Sequence, residues 1–174
     1  MVYRVFVSKR KAFAVEASKT LNNLKTQLKL NNLNDVKIVH RYDVEGVSLE
    51  ILKKGINIIL SEPMVDDVTL DELDTNNAHV IAIEYLPGQY DQRADACEQC
   101  FQLLTGEKNV KVKCAKLIVL YGSLDDKDVK RIQDYLINPV DQRLASLDKA
   151  VNLFDSEVKI DKVPVINSFN CSLE

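Results

Sequence analysis

The sequence repeats part of its own pattern at a spacing of 76 residues, and this repeat limits the folds open to the chain. Four residue pairs share the spacing and occupy matching places at strand ends, within helices or just after them: Gly46/Gly122, Ile56/Ile132, Leu60/Leu136 and Pro63/Pro139. A further stretch, 36–38, resembles 110–112 at a spacing of 74, a difference that a bulge in one strand would explain. Each half is too small to bury an adequate core alone. The repeat therefore predicts two packed units with a shared core.

Hydrophobic periodicity predicts strands that alternate with helices along the chain. The predicted strands cover 2–7, 36–44, 79–86 and 110–121, and the predicted helices cover 15–29, 48–60, 92–104, 123–136 and 142–154. Ser48 is expected to cap the second helix, and Ser123 with Asp126 resembles a capping box for the fourth. The stretch 63–77 is polar, and no helix or strand is predicted there. These elements predict an α+β fold of two α/β halves, about 1–77 and 78–143, related by a pseudo-twofold axis, with the sheet packed against helices.

Composition excludes several classes of function. The 174 residues suit one domain, or two small packed halves. The net charge is −3, and the basic residues form only two short clusters, 9–11 and 53–54. Nucleic-acid binding is therefore disfavoured, because it normally requires a basic surface stripe. No signal-peptide core and no apolar run of the roughly 20 residues that a membrane span needs is present. A cytoplasmic location with reduced cysteines and no membrane partner is expected.

Residues for catalysis or metal binding are few. The only two histidines, His40 and His79, fall in predicted strands without a neighbouring nucleophile, which favours structural or surface roles. Cys97 and Cys100 form a lone C-x-x-C in a helix body, where buried structural thiols are expected on the apolar face. Cys114 is expected in the core. The acidic residues between 66 and 72 are interpreted as a solvated loop. No catalytic, cofactor-binding or metal-binding residue is predicted.

One segment carries more information than the rest: residues 84–95, EYLPGQYDQRAD. Pro87-Gly88 suits a tight turn, and Asp91 is placed to cap the helix that follows. Arg93 is a cation in a first helical turn, where it opposes the helix dipole, so it should have a carboxylate partner. That partner could be local, Asp91 or Asp95, or it could lie on another domain. The segment is a candidate interdomain interface formed by Gln89, Asp91, Gln92, Arg93 and Asp95.

This segment, followed by an Ala-Cys helix, is similar to a signature of phosphoribosylformylglycinamidine synthases of the large, single-chain type. Further blocks agree in order along residues 2–143: RYDVEG at 41–46, SEPMVDDV at 61–68, LYGSL at 120–124 and INPVDQR at 137–143. Cys100 matches the usual cysteine of the family. Cys97 departs from it, because a small residue such as Ser or Ala is expected there.

The resemblance implies a fold and a role. The family's N-terminal domain looks like two PurS subunits, ferredoxin-like units, fused into a pseudo-dimer. It is non-catalytic and helps to assemble the linker, synthetase and glutaminase domains, which convert formylglycinamide ribonucleotide to its amidine with glutamine, ATP and Mg²⁺. The chain itself is expected to bind no cofactor and to be inactive alone. Residues 144–172 would begin the linker region, and Leu173-Glu174 would be a dipeptide that joins an insert to a purification tag.

A second hypothesis comes from another class of function. Paired α+β units can bind an amino acid or a nucleotide between them, so the chain could be a regulatory small-molecule-binding module. The absence of a glycine-rich ligand loop from the sequence disfavours this alternative.

Overall fold

A computed structural model describes residues 1–75 and 78–154 of the chain. The elements of the first half are β1 (Val2–Lys9), α1 (Val15–Leu28), β2 (Leu33–Glu45), α2 (Leu49–Gly55) and β3 (Asp66–Leu70). The second half contains β4 (His79–Tyr85), α3 (Gln92–Thr105), β5 (Lys111–Gly122), α4 (Asp126–Leu136) and β6 (Gln142–Leu144). A 3₁₀ turn, Lys11–Phe13, precedes α1, and a π-helical turn, Ile56–Leu60, continues α2. The predicted α+β class is confirmed.

The described strands form one six-stranded antiparallel sheet in the order β3-β1-β2-β5-β4-β6. Its centre is the long pairing of β2 with β5, which runs from Leu33 opposite Gly122 to Glu45 opposite Lys111. The register shifts between Leu33 and Asp35, whereas the pairing from Asp35 to Glu45 is regular. The bulge expected within the repeated stretch is therefore not found, and that prediction is wrong. From each edge of the sheet to its centre the strands follow the same order, namely the third, first and second strand of that half: β3-β1-β2 on one side and β6-β4-β5 on the other.

All four helices cover one face of the sheet. A first buried cluster joins β1, β2 and β5 to α2 and α3, and a second joins β2, β4 and β5 to α1 and α4. The strand residues in both clusters alternate along each strand, so they share one face. The opposite face, here called the open face, carries a smaller apolar cluster without any helix residue: Phe6, Val39, Ala82, Ala115, Leu117 and Val119.

Side-chain caps fix the starts of three helices. The Ser48 hydroxyl accepts a hydrogen bond from the Ile51 amide at 3.3 Å, as predicted. Asp91 accepts from the amides of Arg93 and Ala94, both at 3.0 Å, which also confirms the prediction. The prediction that Ser123 caps α4 is wrong, because Asp125 does so. The Ser123 amide instead donates a hydrogen bond to the Asn32 carbonyl, just before β2, at 3.2 Å.

The predicted helix over 142–154 is also wrong. Residues 142–144 form β6, which pairs with the edge of β4 and so satisfies backbone groups that would otherwise be free. The apolar positions that suggested a helix are largely exposed: Leu144 49%, Leu147 56% and Val151 93%. Residues 145–154 instead cross back over the open face, and Leu153 is buried there.

The polar stretch 63–77 contains a strand that the sequence pattern did not indicate. β3 pairs with β1, and the carboxylate of Asp66 is buried 2.9 Å from the Lys9 ammonium. Asp67 pairs with Arg10, and Asp71 pairs with Lys149. The interpretation of these carboxylates as a solvated loop is therefore wrong for Asp66, which is buried in an edge strand. Asp67, Asp71 and Glu72 are exposed to solvent as expected.

A buried ionic group on the open face holds the crossing segment. The Arg4 guanidinium donates to both carboxylate oxygens of Asp43, at 2.6 and 3.0 Å, and to the carbonyls of Leu147 and Asp148. Arg41 donates to the Ser146 carbonyl at 2.6 Å. The three charged side chains, here called the carbonyl clamp, are at most 6% exposed. They fix the path along which the chain leaves β6.

The expectations for 155–172 and for 173–174 lie outside the described residues, as does the boundary proposed at residue 77. No helix in the described ranges has the length and apolar content needed to cross a bilayer.

Candidate functional site

A polar cleft of about 1100 Å³ opens on the helical face of the sheet, between the two apolar clusters. Its lining includes Tyr42, Leu60 and Cys97 from the first cluster and Ile83 and Ile118 from the second. Four polar side chains lie together within it: His40 from β2, Lys116 from β5, Glu16 from α1 and Arg93 from α3. Both halves of the chain therefore contribute to the cleft.

The floor of the cleft is set by the central strand register. His40 lies directly opposite Lys116 in the pairing of β2 with β5, and both side chains belong to the helical face. The Lys116 ammonium forms an ion pair with Glu16, which is in the first turn of α1. The expectation that His40 could face solvent on a strand surface is corrected, because His40 is half-buried beneath the helices.

Arg93 reaches into the same cleft from the first turn of α3. Its Nη1 donates a hydrogen bond to the Tyr42 hydroxyl at 2.9 Å. Asp91, one of the two local partners considered, accepts from backbone amides at the helix start. Asp95, the other, accepts from the Tyr90 hydroxyl and from Gln99, both at 2.8 Å. Within the described residues Arg93 thus forms no ion pair, and its one side-chain acceptor is a neutral phenol.

Burial and neighbouring charges decide the protonation states of the side chains in the cleft. Burial, followed by the positive charge of Arg93, lowers the pKa of His40 to about 4, so its imidazole is neutral at pH 7. Burial acts to raise the pKa of Glu16, but the hydrogen bond and charge of Lys116 outweigh it and lower that pKa. Burial raises the pKa of Tyr42, which stays a phenol. The four-residue centre, Glu16, His40, Arg93 and Lys116, therefore carries one net positive charge at neutral pH.

Two cysteines form the wall next to Arg93. Cys97 of α3 and Cys114 of β5 are buried, as predicted, and their thiols contact each other. The hydrogen bond with Cys97, reinforced by burial, raises the pKa of Cys114 well above its ordinary value, so that thiol stays protonated. Cys100 was expected on the same buried face, but it is exposed. The C-x-x-C therefore does not converge on one site.

The predicted interface segment divides between the cleft and the outer surface. Asp91, Gln92 and Arg93 line the cleft. Gln89, which is exposed in the turn, and Asp95, which bonds to neighbouring side chains, are not part of the lining. The structure therefore brings three of the five predicted residues together with residues that sequence reasoning had not selected.

His40, Lys116 and Glu16 were missed as site residues, although the repeat held a signal for them. His40 and Lys116 are 76 residues apart, so they are matching polar positions on the mostly apolar helical face of the two central strands. Glu16 and Arg93 are 77 apart and lie in the first turns of α1 and α3. A polar residue at both copies of a core position indicates a shared polar site.

The cleft combines three kinds of hydrogen-bond donor. In the ranges 1–75 and 78–154, no three His, Cys, Asp or Glu side chains are grouped so that they could hold a metal ion. Its donors are a guanidinium, an ammonium and a neutral imidazole, which suit recognition of a charged group. Comparisons of the sequence with protein-family models and with curated proteins found no match.

Proposed function

We propose that this chain is the non-catalytic N-terminal assembly domain of a large, single-chain phosphoribosylformylglycinamidine synthase, with a PurS-like duplicated fold. The observation that carries the proposal is that the 76-residue repeat extends through the folded core. Nine pairs keep this spacing, and each pair divides its members between the first and second clusters: Val5/Ile81, Val7/Ile83, Leu21/Cys97, Val36/Val112, Ile38/Cys114, Tyr42/Ile118, Val44/Leu120, Ile56/Ile132 and Leu60/Leu136. Val36 thus corresponds to Val112 and not, as the sequence pattern suggested, to Val110.

Two glycines support a pseudo-twofold relation between the halves. A Cβ on Gly46 would lie 1.9 Å from the Asn109 carbonyl oxygen, just before β5. A Cβ on Gly122 would lie 2.1 Å from the Asn32 carbonyl oxygen, just before β2. The end of each central strand therefore approaches the start of the other in the same way. Matched close contacts of this kind are expected of a fused pseudo-dimer with a twofold axis between β2 and β5.

The signature segment supports the assembly role by its exposure. The turn between β4 and α3 presents Gln89 and Tyr90 to solvent, with Tyr90 69% exposed. An exposed aromatic residue on a turn held by a strand and a capped helix suits contact with a neighbouring domain. The partners proposed are the linker, synthetase and glutaminase domains of the parent enzyme, which would be cytoplasmic. ATP and Mg²⁺ would bind to the synthetase domain, and this chain would bind neither.

Domain replacement in a single-chain synthase tests this function. Residues 1–143 are substituted for the enzyme's own N-terminal domain, and amidine formation is measured with glutamine and, separately, with ammonium chloride. A deletion lacking the domain should lose glutamine-dependent synthesis, and the replacement should restore it. The enzyme's own domain, reattached through the same junction, controls for the cut. A folded replacement no better than the deletion, or turnover of glutamine or ATP by the isolated chain, would overturn the proposal.

The polar cleft favours one second candidate, a regulatory module that binds a small molecule between its paired α+β units. A thermal-shift screen of the isolated chain against purine-pathway metabolites separates the two. A ligand that binds only the folded state raises the melting temperature in a saturable way. A shift of several degrees together with a failed domain replacement would select the regulatory function.

A further inference from the structure

Arg93 has no counterion among the described residues. The guanidinium has five N–H donors, and its one side-chain acceptor among the described residues is the Tyr42 hydroxyl. It also lies in the first turn of α3, where the helix dipole disfavours a cation. Arg93 is solvent-exposed although it lines the cleft. An anion bound beside it would interact favourably with both the guanidinium and the positive end of α3.

The surroundings of Arg93 favour an anion that comes from outside the fold. Lys116 adds a second cation on the cleft floor, although Glu16 neutralises it. His40 is neutral there, so it can offer an N–H donor without a counterion of its own. Three rim carboxylates are engaged elsewhere: Asp66 with Lys9, Glu84 with Arg143 and Asp91 with the start of α3. A fourth, Glu62, is exposed. None of them approaches Arg93 to ion-pair distance in the described structure.

We propose that the cleft binds a small molecule through a carboxylate or phosphate group held by Arg93, with Lys116 and His40 as neighbouring donors. Arg binds both groups well because its planar fork of donors matches two oxygens at once. The cleft, at about 1100 Å³, is large enough for a metabolite the size of a nucleotide. This site does not depend on the assembly role, because its evidence lies within one folded chain.

The two histidines allow a direct test by imidazole NMR of the isolated chain. His40 lies in the cleft, and His79 lines a separate cavity on the open face, so His79 is an internal control. Inorganic phosphate and malonate are titrated separately at constant ionic strength, with chloride as the reference salt. The His40 signals should move in a saturable way with at least one anion, and its apparent pKa should rise from about 4. The His79 signals should stay fixed.

The two titrations distinguish the source of the anionic group. A response to phosphate alone assigns a phosphate-bearing ligand, and a response to malonate alone assigns a carboxylate-bearing one. A response to neither anion, or equal movement of both histidines, would overturn the proposed site.

Three variants identify the contact. Arg93→Gln should weaken binding of the responding anion at least tenfold, whereas Arg131→Gln, which replaces an exposed arginine of α4, should leave it unchanged. Tyr42→Phe keeps the aromatic ring but removes the hydroxyl that accepts from Arg93. This variant should therefore bind the anion at least as tightly as the original chain does. If Arg93→Gln does not fold, Lys116→Gln gives a second measure and should weaken binding severalfold. Unchanged affinity in a folded Arg93→Gln chain contradicts the proposal.

Discussion

At the scale of single residues, His40 shows how a neutral polar side chain is held at the centre of an apolar sheet. It lies between the two core clusters, and Arg93, Glu16 and Lys116 approach it from α3, α1 and β5. Burial and the charge of Arg93 both oppose protonation of the ring. The folded state therefore binds this proton less readily than the unfolded chain does.

This difference predicts a pH dependence of stability. The unfolded pKa is near 6.5 and the folded pKa is about 4, so the contribution of His40 is complete above pH 6.5 and is lost as pH falls towards 4. The loss should reach up to about 3 kcal/mol. Between pH 7 and pH 4, the free energy of unfolding measured by urea titration should decline less steeply for His40→Gln than for the original chain. His79→Gln is the matched control, and parallel curves for all three chains would contradict the assignment.

Glycine matters at the two strand ends because the backbone of the opposite strand lies where a side chain would begin. Gly46 and Gly88 both have φ near +90°, at 90° and 87°. They differ in their surroundings, because a Cβ on Gly88 would meet nothing within 4 Å, whereas one on Gly46 would meet the Asn109 carbonyl oxygen. The pair therefore separates the effect of backbone strain from the effect of close packing.

Gly88→Ala should lower the free energy of unfolding by about 1 kcal/mol, the usual effect of a positive φ. Gly46→Ala should lower it by about 3 kcal/mol or more, because β5 must also move away. Urea titration of both variants measures the difference. Equal losses of unfolding free energy in the two variants would mean that the close approach of the two central strands adds no cost beyond that of the positive φ.

At the scale of elements, the segment after β6 is held largely through its backbone carbonyls. Arg4 and Arg41 bind the carbonyls of residues 146–148, and both form ion pairs with Asp43 of β2. At the matching positions of the second half, 76 residues on, stand Val80, Leu117 and Val119. The carbonyl clamp therefore exists in one half, and it directs the chain towards whatever follows residue 154.

Asp43→Asn should leave two buried guanidinium groups without a counterion and cost about 3–5 kcal/mol. It should also speed proteolytic cleavage within 145–154, because the clamp then holds these carbonyls less well. Asp134→Asn breaks an exposed ion pair with Lys130 and should change stability by less than about 1 kcal/mol. Equal proteolysis rates in the two variants would show that the clamp does not hold the segment.

The turn that joins β4 to α3 is the element on which the assembly role should depend. Replacing Gln89 and Tyr90 together by Ala should not affect folding, because both side chains are exposed. In the synthase proposed as the parent of this chain, the double variant should reduce glutamine-dependent synthesis while leaving glutamine hydrolysis intact. Leu103→Ala, on the outer surface of α3, serves as the control for loss of an exposed side chain. Normal coupling in the double variant would remove this turn from the proposed interface.

At the scale of the whole molecule, neither half has a core of its own. The first cluster packs α2 of one half against α3 of the other, and the second packs α1 against α4 in the same crossed manner. The cleft lies between these crossed pairs. Stability and the site therefore depend on the same association of halves.

Separate expression of residues 1–77 and 78–154 should give two chains without a cooperative unfolding transition, because each lacks half of both clusters. Mixing them should restore the transition and the dispersed NMR spectrum of the intact chain. Circular dichroism during thermal unfolding gives the measurement. A half that unfolds cooperatively as a monomer would show that the shared core is not required.

The sequence by itself determined most helices and long strands, the caps at Ser48 and Asp91, and the spacing of the repeat. These depend on local periodicity and on side chains within a few residues of the backbone groups they bind. Only the tertiary structure decided the edge strands β3 and β6, because these pair with β1 and β4 from a distance. It also decided the cleft, since Arg93 reaches His40, Lys116 and Glu16 only when two chain segments far apart in sequence pack across one sheet.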